Sequence, residues 1–488
     1  MLTIDIDTIF HPFEAIFHLR IVHIAYLCGQ YQNKLLIKLI RQIRNIMTKK
    51  TTVTLFVIIL LCLCGSMSIQ AKMRVKRQCF DFVVPDDGPL QDAFARAMKR
   101  KDTTKRFRIF VKNGTYVLPQ GALRHYRHTN GKKGADEVVK FEGDYPDPIT
   151  YVNGENISLI GESREGTVIT NVIPDSAYFA NAPWGDTSYY DGIGKGDVLQ
   201  ISGSDWYFQD ITIKSGMMDR RGRNLAVHDR AVRTIYKNVC LWGYQDTWTS
   251  NNFGPYYFEG GQVRGRTDYM CGKGDAYFLG VELLQMRGGY AAVPSVPAKI
   301  GWVFKDCVIN AVEEGVDGSY ELGRPWGKGT PIALFIDTKM NVRPRAIGWN
   351  EMSGGWPKQY AEYNSTDKDG NVIDLSGRKT TFGDGHANKP VLTAEEAAYA
   401  SDMKNMFGTW QPSKLTVQAD APTGIRLKGN RLTWDDNNSV LCWAICQDGR
   451  VVAFTTTPTY MINDTTATYA VRAVNEMGGL GETAIFRQ

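Results

Sequence analysis

A short sequence frame that recurs at intervals of 20 to 31 residues constrains the fold of this chain more than any other feature. The frame consists of an aromatic residue, any residue, Asp, Asn or Gly, a small or apolar residue, any residue and an apolar residue. Its aromatic residue occurs at Phe208, Tyr236, Phe258, Phe278, Phe304 and Phe335. Repeats of this length that hold short strands and no helix are typical of a solenoid. The frame therefore predicts a parallel β-solenoid.

Two aspartates, Asp246 and Asp268, are 22 residues apart, which is close to one repeat. Equivalent positions on neighbouring coils of a parallel solenoid lie about 4.8 Å apart, the spacing between strands. The spacing therefore predicts that the two carboxyl groups lie one above the other on a single face. Two adjacent carboxyls do not both ionise readily, so one is expected to be charged and the other protonated.

The N-terminal part has the pattern of an export signal. Residues 47–71 begin with Lys49 and Lys50, continue with an apolar run at 55–64 and end at a plausible cleavage point. The apolar run is too short for a membrane span, so the mature protein is expected to be secreted or periplasmic. Residues 1–46 are a doubtful upstream extension, and Met47 is the expected start. The alternative is a real extension followed by an internal anchor.

Residues 80–410 form the predicted solenoid, with an early helix at 90–99 and a covering helix at 393–407 that Thr393 caps. Insertions at 120–150, 171–197 and 286–299 are expected to build the binding face.

Residues 415–488 contain short alternating runs separated by turn residues, which is typical of a small β-sandwich. The segments at 432–434 and 469–475 resemble a fibronectin type III module. This part contains no catalytic motif, so we expect a spacer or docking role. Cys442 and Cys446 within it could pair, and the sequence leaves that pairing open. The whole chain is expected to be all-β.

The formal net charge is +6, and Lys and Arg are scattered along the chain. Such a charge argues against a nucleic-acid binder and suits an acidic polymer as substrate. The cysteines show no zinc-type spacing, so no metal site is expected.

Three motifs carry a resemblance to a known family. In order, they are Gly243-Tyr244-Gln245-Asp246-Thr247, Gly265-Arg266-Thr267-Asp268-Tyr269 and Leu322-Gly323-Arg324-Pro325-Trp326. They resemble three signatures of the pectin methylesterases, and the resemblance extends over residues 80–378. It implies a right-handed parallel β-helix that acts on pectin and hydrolyses the C6 methyl esters of homogalacturonan. We expect the protein to be a monomer. It implies neither a metal nor an organic cofactor.

The resemblance also implies roles for the motif residues. Asp268 is the nucleophile, which Arg324 holds ionised, and Asp246 is the acid that releases methanol and afterwards activates water. Gln245 stabilises the oxyanion. Trp326 offers a flat face to a sugar ring, although core packing is an alternative role for it.

The chain departs from the family pattern at two points. The spacing from Asp246 to Asp268 is one residue longer than expected, and the turn at 251–255 is a place where a bulge can absorb that residue. A second oxyanion glutamine is missing one coil earlier, where Asn224 is the nearest amide and His228 is a second candidate. Tyr269 is a further candidate for substrate contact, with packing beside Asp268 as its alternative role.

Two other functions remain open from the sequence. A pectate lyase or polygalacturonase would share the fold, although a lyase needs clustered calcium ligands and a galacturonase needs several close aspartates. A non-catalytic pectin-binding relative would retain the groove and lose turnover through the missing glutamine.

Overall fold

A computed structural model of the 488-residue chain describes residues 79–118, 123–129, 139–146, 149–171, 197–216, 223–436 and 440–486. Residues Gln78–Gln488 form one compact unit. The predicted extension at 1–46, the predicted signal peptide at 47–71 and much of the insertions at 120–150 and 171–197 lie outside the described residues.

Three parallel sheets, here called sheets 1, 2 and 3, form the solenoid, and each complete coil contributes one strand to each sheet in that order. The ten strands of sheet 1 are Phe82–Val84, Phe107–Val111, Ile157–Gly161, Tyr207–Gln209, Thr234–Lys237, Tyr256–Glu259, Ala276–Leu279, Trp302–Lys305, Ile332–Ile336 and Gln359–Tyr363. The nine strands of sheet 2 are Gly114–Leu118, Thr167–Asn171, Thr212–Lys214, Cys240–Trp242, Gln262–Gly265, Glu282–Gln285, Val308–Ala311, Lys339–Met340 and Thr366–Asp367. The seven strands of sheet 3 are Thr150–Glu155, Leu199–Ser204, Val227–Val232, Trp248–Ser250, Met270–Gly272, Tyr290–Pro294 and Glu321–Gly323. The predicted parallel β-helix is confirmed.

The aromatic residues of the frame form one continuous stack inside the solenoid. From Phe208 to Phe335 they pair in register along sheet 1, and all six are buried. Neighbouring ring centroids lie between 4.3 and 5.1 Å apart with nearly parallel planes. The stack explains why the frame repeats, since a smaller side chain at any rung would leave a cavity.

The third position of the frame forms the turn from sheet 1 to sheet 2. Its backbone is left-handed at all six occurrences of the frame, with φ between 49° and 61° at Asp210, Asn238, Gly260, Gly280, Asp306 and Asp337. Gly, Asn and Asp adopt this conformation at the least cost, which accounts for the restriction of the frame to these three residues.

The helix Leu90–Lys99 lies where the sequence predicts it, and it buries Leu90, Ala93, Phe94 and Ala97 in the solenoid core. The predicted helix at 393–407 is instead two helices, Ala394–Ser401 and Met403–Phe407, because Asp402 is extended and caps the second one. Thr393 caps the first through a capping box with Glu396. A short helix, Pro412–Leu415, follows.

Antiparallel strands complete the described structure. The C-terminal part forms a three-stranded sheet of Arg426–Lys428, Arg431–Thr433 and Thr459–Met461 and a four-stranded sheet of Cys442–Gln447, Arg450–Thr455, Tyr469–Val474 and Leu480–Ile485. These sheets enclose a core around Trp434 and Trp443, as expected of a small β-sandwich. Two strand pairs lie elsewhere, Leu123–Thr129 with Val139–Pro146 and Thr381–Phe382 with His386–Ala387. The likeness to fibronectin type III stays a prediction.

The β-sandwich packs against the solenoid, and its spacer or docking role stays a prediction. Cys442 forms a disulfide with Cys79 rather than with Cys446, whose thiol is free. Phe454 of the sandwich contacts the rings of Phe80 and Phe110 at centroid distances of 4.6 and 5.0 Å. The sandwich therefore covers apolar surface on the outer face of sheet 1. Among the described residues, no helix is long and apolar enough to span a membrane.

Candidate active site

The backbone places Asp246 and Asp268 at equivalent positions on neighbouring coils. Gln245 and Thr267, which precede them, form a parallel bridge, and the following strands pair Trp248 with Met270. Both aspartates adopt the left-handed conformation, with φ of 58° and 51°, just before sheet 3 begins. The predicted stacking of the two residues is confirmed.

The turn at 251–255 absorbs the extra residue between the two aspartates. The offset between paired residues is 21 at Asp229 and Ser250, before this turn, and 22 at Thr234 and Tyr256, after it. The insertion therefore lies between sheet 3 and sheet 1, and Asp268 stays in line with Asp246.

The glycines of the first two motifs permit close packing beneath the aspartates. A Cβ atom on Gly243 would lie 2.3 Å from the carbonyl oxygen of Asn224, and one on Gly265 would lie 2.0 Å from Cβ of Tyr269. Such distances are impossible for a side chain, so both positions require glycine.

Arg324 holds the carboxyl group of Asp268 through two hydrogen bonds. Its Nε and Nη2 atoms donate to the two carboxylate oxygens over 3.0 and 2.6 Å, the bidentate geometry that arginine favours. The guanidinium lies over the ring of Tyr290, with Cζ 3.9 Å from the ring centroid. Burial raises the pKa of Asp268 above its usual value, and the hydrogen bonds and charge of Arg324 reduce this rise without cancelling it. Arg324 therefore favours the ionised form of Asp268.

Asp246 has a different environment. Burial raises the pKa of Asp246 to about 7, and the charge of Asp268 adds to this rise. Arg223 opposes it weakly, because its Nε atom is 3.4 Å from Oδ2 of Asp246 and its side chain is half exposed. A protonated Asp246 beside an ionised Asp268 is the arrangement predicted for the pair.

A cleft of about 130 Å³ opens above the two aspartates. Its lining residues come from sheet 3 and the loops beside it: Arg223, Leu225, His228, Gln245, Asp246, Thr249, Asn251, Asp268, Cys271, Val293, Trp326 and Met352. Trp326 is 36% exposed and lines the cleft. Four predicted site residues, Asp246, Asp268, Gln245 and Trp326, thus border one cavity.

Asn224 and Tyr269 lie beneath the cleft, which differs from their predicted positions. Both are completely buried, and neither lines the cavity. Oδ1 of Asn224 accepts a hydrogen bond of 2.8 Å from the backbone N–H of Gln245. Asn224 therefore positions Gln245, and burial keeps Tyr269 from touching a ligand in the cleft.

His228 lines the cleft one coil before Thr249. A residue that replaces the missing oxyanion glutamine has to lie in such a position. Its Nδ1 atom is 3.2 Å from Oδ2 of Asp197, and its Nε2 atom is 2.7 Å from Nδ2 of Asn251. Both ring nitrogens are therefore engaged, which holds the imidazole in place.

Sequence reasoning missed Arg223, Met352 and Tyr290. Arg223 could have been found from the sequence, because it directly precedes Asn224 on the coil before Asp246. Tyr290 lies in the insertion at 286–299, which was predicted to build the binding face. Met352 carries no signal in the sequence. In the part of the chain that the structure describes, no group of three His, Cys, Asp or Glu side chains is arranged to hold a metal ion.

Comparisons with known proteins point to one family. A family model described as pectinesterase matches residues 122–398, which is more than half of the chain. The chain is 27% identical over 321 residues to pectinesterase A of Dickeya chrysanthemi, covering 56% of this chain and 82% of the relative. It is 26% identical over 175 residues to putative pectinesterase 11 of Arabidopsis thaliana, covering 34% of this chain and 47% of the relative.

Solved structures of similar proteins include pectin methylesterases from carrot and from Erwinia chrysanthemi. The carrot protein has a TM-score of 0.49 and 18% identity, with 69% of this chain and 96% of that chain covered. The Erwinia protein has a TM-score of 0.47 and 22% identity, with 68% of this chain and 98% of that chain covered.

Proposed function

This chain belongs to the pectinesterase family, and we propose that it hydrolyses the C6 methyl esters of homogalacturonan in pectin to free carboxylate and methanol. The observation that supports this most is the unequal environment of two stacked carboxyl groups. Arg324 clamps one of them, and burial raises the pKa of the other to about 7. A nucleophile and a proton donor are thus available side by side near neutral pH.

In the first step, a carboxylate oxygen of Asp268 attacks the C6 carbonyl of the ester. The carbonyl oxygen gains negative charge, and the carboxyl proton of Asp246 passes to the methoxy oxygen as its bond to C6 breaks. Methanol leaves, and C6 remains bound to Asp268 as a mixed anhydride. Asp246 is now ionised.

In the second step, Asp246 accepts a proton from a water molecule, whose oxygen attacks C6 of the anhydride. The bond from C6 to Asp268 breaks, which releases the galacturonic acid carboxyl and restores both aspartates, and this carboxyl then loses its proton to solvent. The same residue serves first as acid and then as base, as microscopic reversibility allows.

Gln245 is the proposed oxyanion donor. It lines the cleft beside Asp246, and its amide can donate a hydrogen bond without competing for the catalytic proton. Asn224 fixes the backbone of Gln245, so it acts through Gln245 rather than on the substrate. Trp326 is the proposed surface for stacking of a sugar ring, and Tyr269 supports Asp268 from the core.

The proposed setting of this reaction is outside the cytoplasm. Residues 47–71 have the composition of a secretory signal, and an exported enzyme meets pectin in the cell wall. We propose that it acts as a monomer on this polymer and requires no cofactor.

A methanol-release assay on highly esterified pectin tests the function directly. The purified protein should release methanol and leave free carboxylates without shortening the polymer. Unsaturated uronide products would identify a lyase instead, and new reducing ends would identify a galacturonase. Binding to pectin with no product at all would identify the non-catalytic relative.

A further inference from the structure

A second arginine, Arg223, contacts the catalytic pair from the coil that precedes Asp246. Its Nε atom lies 3.4 Å from Oδ2 of Asp246, and 51% of its side chain is exposed, against 12% for the side chain of Asp246. Among the described residues that line the cleft, Arg223 is the only arginine or lysine. The described part of the chain shows no other ion pair for its guanidinium. Arg223 therefore presents a positive charge and N–H donors to the cleft.

The backbone beside Arg223 is fixed against the catalytic coil. Its neighbour Asn224 donates its backbone N–H to the carbonyl oxygen of Gln245 over 3.1 Å, and Oδ1 of Asn224 accepts the N–H of Gln245 over 2.8 Å. These two hydrogen bonds tie the residue after Arg223 to the residue before Asp246. The side chain of Arg223 therefore starts from a fixed point next to the catalytic acid.

His228 lines the same cleft but has no N–H group to offer a developing oxyanion. Its Nδ1 atom faces a carboxylate oxygen of Asp197, so it carries the proton, and its Nε2 atom accepts from Nδ2 of Asn251. Both ring nitrogens are thus engaged within the protein. This leaves Arg223 as the donor that the coil before Asp246 offers to the cleft.

The proposed reaction moves a negative charge from one carboxyl group to the other. At the start, Asp268 is ionised and Arg324 binds both of its oxygens. The attack places the charge on the carbonyl oxygen of the ester, and the departure of methanol leaves it on Asp246. Arg324 loses its charged partner during these events, while Arg223 gains one. An interaction that strengthens from the ground state to the transition state lowers the barrier.

We propose that Arg223 is a further catalytic residue, which stabilises the negative charge as it passes from the carbonyl oxygen to Asp246. Its guanidinium donates to the oxyanion in the first step and then pairs with ionised Asp246 until water attacks the anhydride. This inference rests on the proposed function, since it assigns a role within that reaction. Arg223 acts on charge that develops during the reaction, so it should affect turnover and leave the binding of an uncharged substrate unchanged.

Fully methyl-esterified oligogalacturonides provide the test, because they carry no charge that Arg223 could bind in the ground state. Arg223→Ala should lower kcat for methanol release about 10²-fold, the usual cost of one oxyanion donor, and leave KM within about twofold. Arg223→Lys keeps the charge and should be about tenfold more active than Arg223→Ala. Arg233→Ala is the matched control, since it removes a similarly exposed arginine that binds Asp205 over 2.6 Å outside the cleft. This control should keep kcat within about twofold of wild type.

Guanidinium ion added to the assay separates a lost charge from a disturbed fold. About half of the Arg223 side chain is exposed, so the space that it leaves in Arg223→Ala is open to a small cation. Guanidinium chloride, kept below denaturing concentrations, should raise kcat of Arg223→Ala about tenfold. Sodium chloride at the same ionic strength should not, and neither salt should raise kcat of Arg233→Ala.

The outcomes separate Arg223 from the reaction itself. An active wild type whose Arg223→Ala variant keeps kcat within about threefold would overturn the proposal. A rise in KM alone on the uncharged substrate would overturn it by showing a binding residue. A loss of kcat that neither lysine nor guanidinium restores would also overturn it, because charge would then not be the cause. A wild-type protein that releases no methanol would refute the proposed function and the catalytic role of Arg223 with it.

Discussion

At the scale of single residues, the site contains two aspartates whose surroundings differ. Asp268 and Asp246 occupy equivalent backbone positions, yet a bidentate arginine contacts only the first. Burial raises the pKa of both groups, and Arg324 reduces the rise at Asp268. We therefore propose that Arg324 determines which carboxyl is the nucleophile.

Asp268→Asn should lower kcat for methanol release by at least about 10³-fold, because an amide cannot attack the ester. Circular dichroism should show an unchanged fold. Asp306→Asn is the matched control, since Asp306 has a similar left-handed backbone, with φ of 54°, and lies outside the cleft. Retention of more than about a tenth of wild-type activity would exclude Asp268 as the nucleophile.

The pH dependence follows from Asp246, whose pKa is raised to about 7. In the proposed mechanism this group must be protonated to release methanol, so kcat/KM should fall as the pH rises through about 7. Arg223 lowers the pKa of Asp246, so Arg223→Gln should move this alkaline limb to higher pH. Arg431→Gln on the sandwich is the control with the same loss of charge. An alkaline limb that is unchanged in Arg223→Gln would show that another group controls it.

Asn224 is expected to act through Gln245. Asn224→Ala removes the acceptor of a partly buried backbone N–H, which should lower the free energy of unfolding by about 1 kcal/mol. It should also lower kcat, and the loss should not add to that of Gln245→Ala in a double-mutant cycle. Additive losses in kcat would show that Asn224 contributes independently of Gln245.

At the scale of the structural elements, the left-handed turn between sheets 1 and 2 is the repeated constraint. At Gly280, φ is 61° and a Cβ atom would meet no heavy atom within 4 Å. The neighbouring atoms therefore leave room for a side chain at this position. The left-handed backbone conformation is what favours Gly, Asn or Asp here.

Gly280→Val should lower the free energy of unfolding by about 1–3 kcal/mol, because a β-branched residue is strained in this conformation. Gly280→Asn should cost less, since Asn occupies the equivalent position at Asn238. Chemical denaturation of the two variants measures the difference. Equal stability of both would refute a backbone origin for the frame.

At the scale of the whole molecule, the β-sandwich supports sheet 1 while the cleft lies on sheet 3. Glu162 of the solenoid accepts a hydrogen bond of 2.6 Å from the backbone N–H of Val451 and contacts Arg450 over 3.3 Å. The apolar cluster beside these contacts contains residues of both parts. The sandwich is therefore expected to affect stability more than chemistry.

Removal of the link between Cys79 and Cys442 tests this expectation. Cys442→Ser should lower the melting temperature, because it deletes a crosslink across 363 residues of sequence. Below that temperature, methanol release should stay near wild type, since the cleft is on another face. Cys446→Ala is the control, because Cys446 is a free, buried cysteine on the same strand. A large loss of kcat in the folded Cys442→Ser protein would show that the sandwich completes the cleft.

The sequence by itself determined the solenoid, the stacked aspartates and the order of the motifs. These features depend on spacing along the chain: a repeat length sets the coil, and the frame at Phe258 and Phe278 sets the register. Such local, periodic constraints are visible in a linear pattern. The helix at 90–99 and the cap at Thr393 were likewise predictable from short-range signals.

Only the tertiary structure decided which side chains meet across the chain. The pairing of Cys79 with Cys442, the support of Arg324 by Tyr290 and the place of Asn224 beneath the cleft join residues with no periodic relation. The orientation of a side chain decided the last case. Asn224 lies on the predicted coil, but its side chain accepts a hydrogen bond from the backbone N–H of Gln245. Spacing gives the height of a residue along the solenoid, whereas packing sets the direction of its side chain and its contacts with other elements.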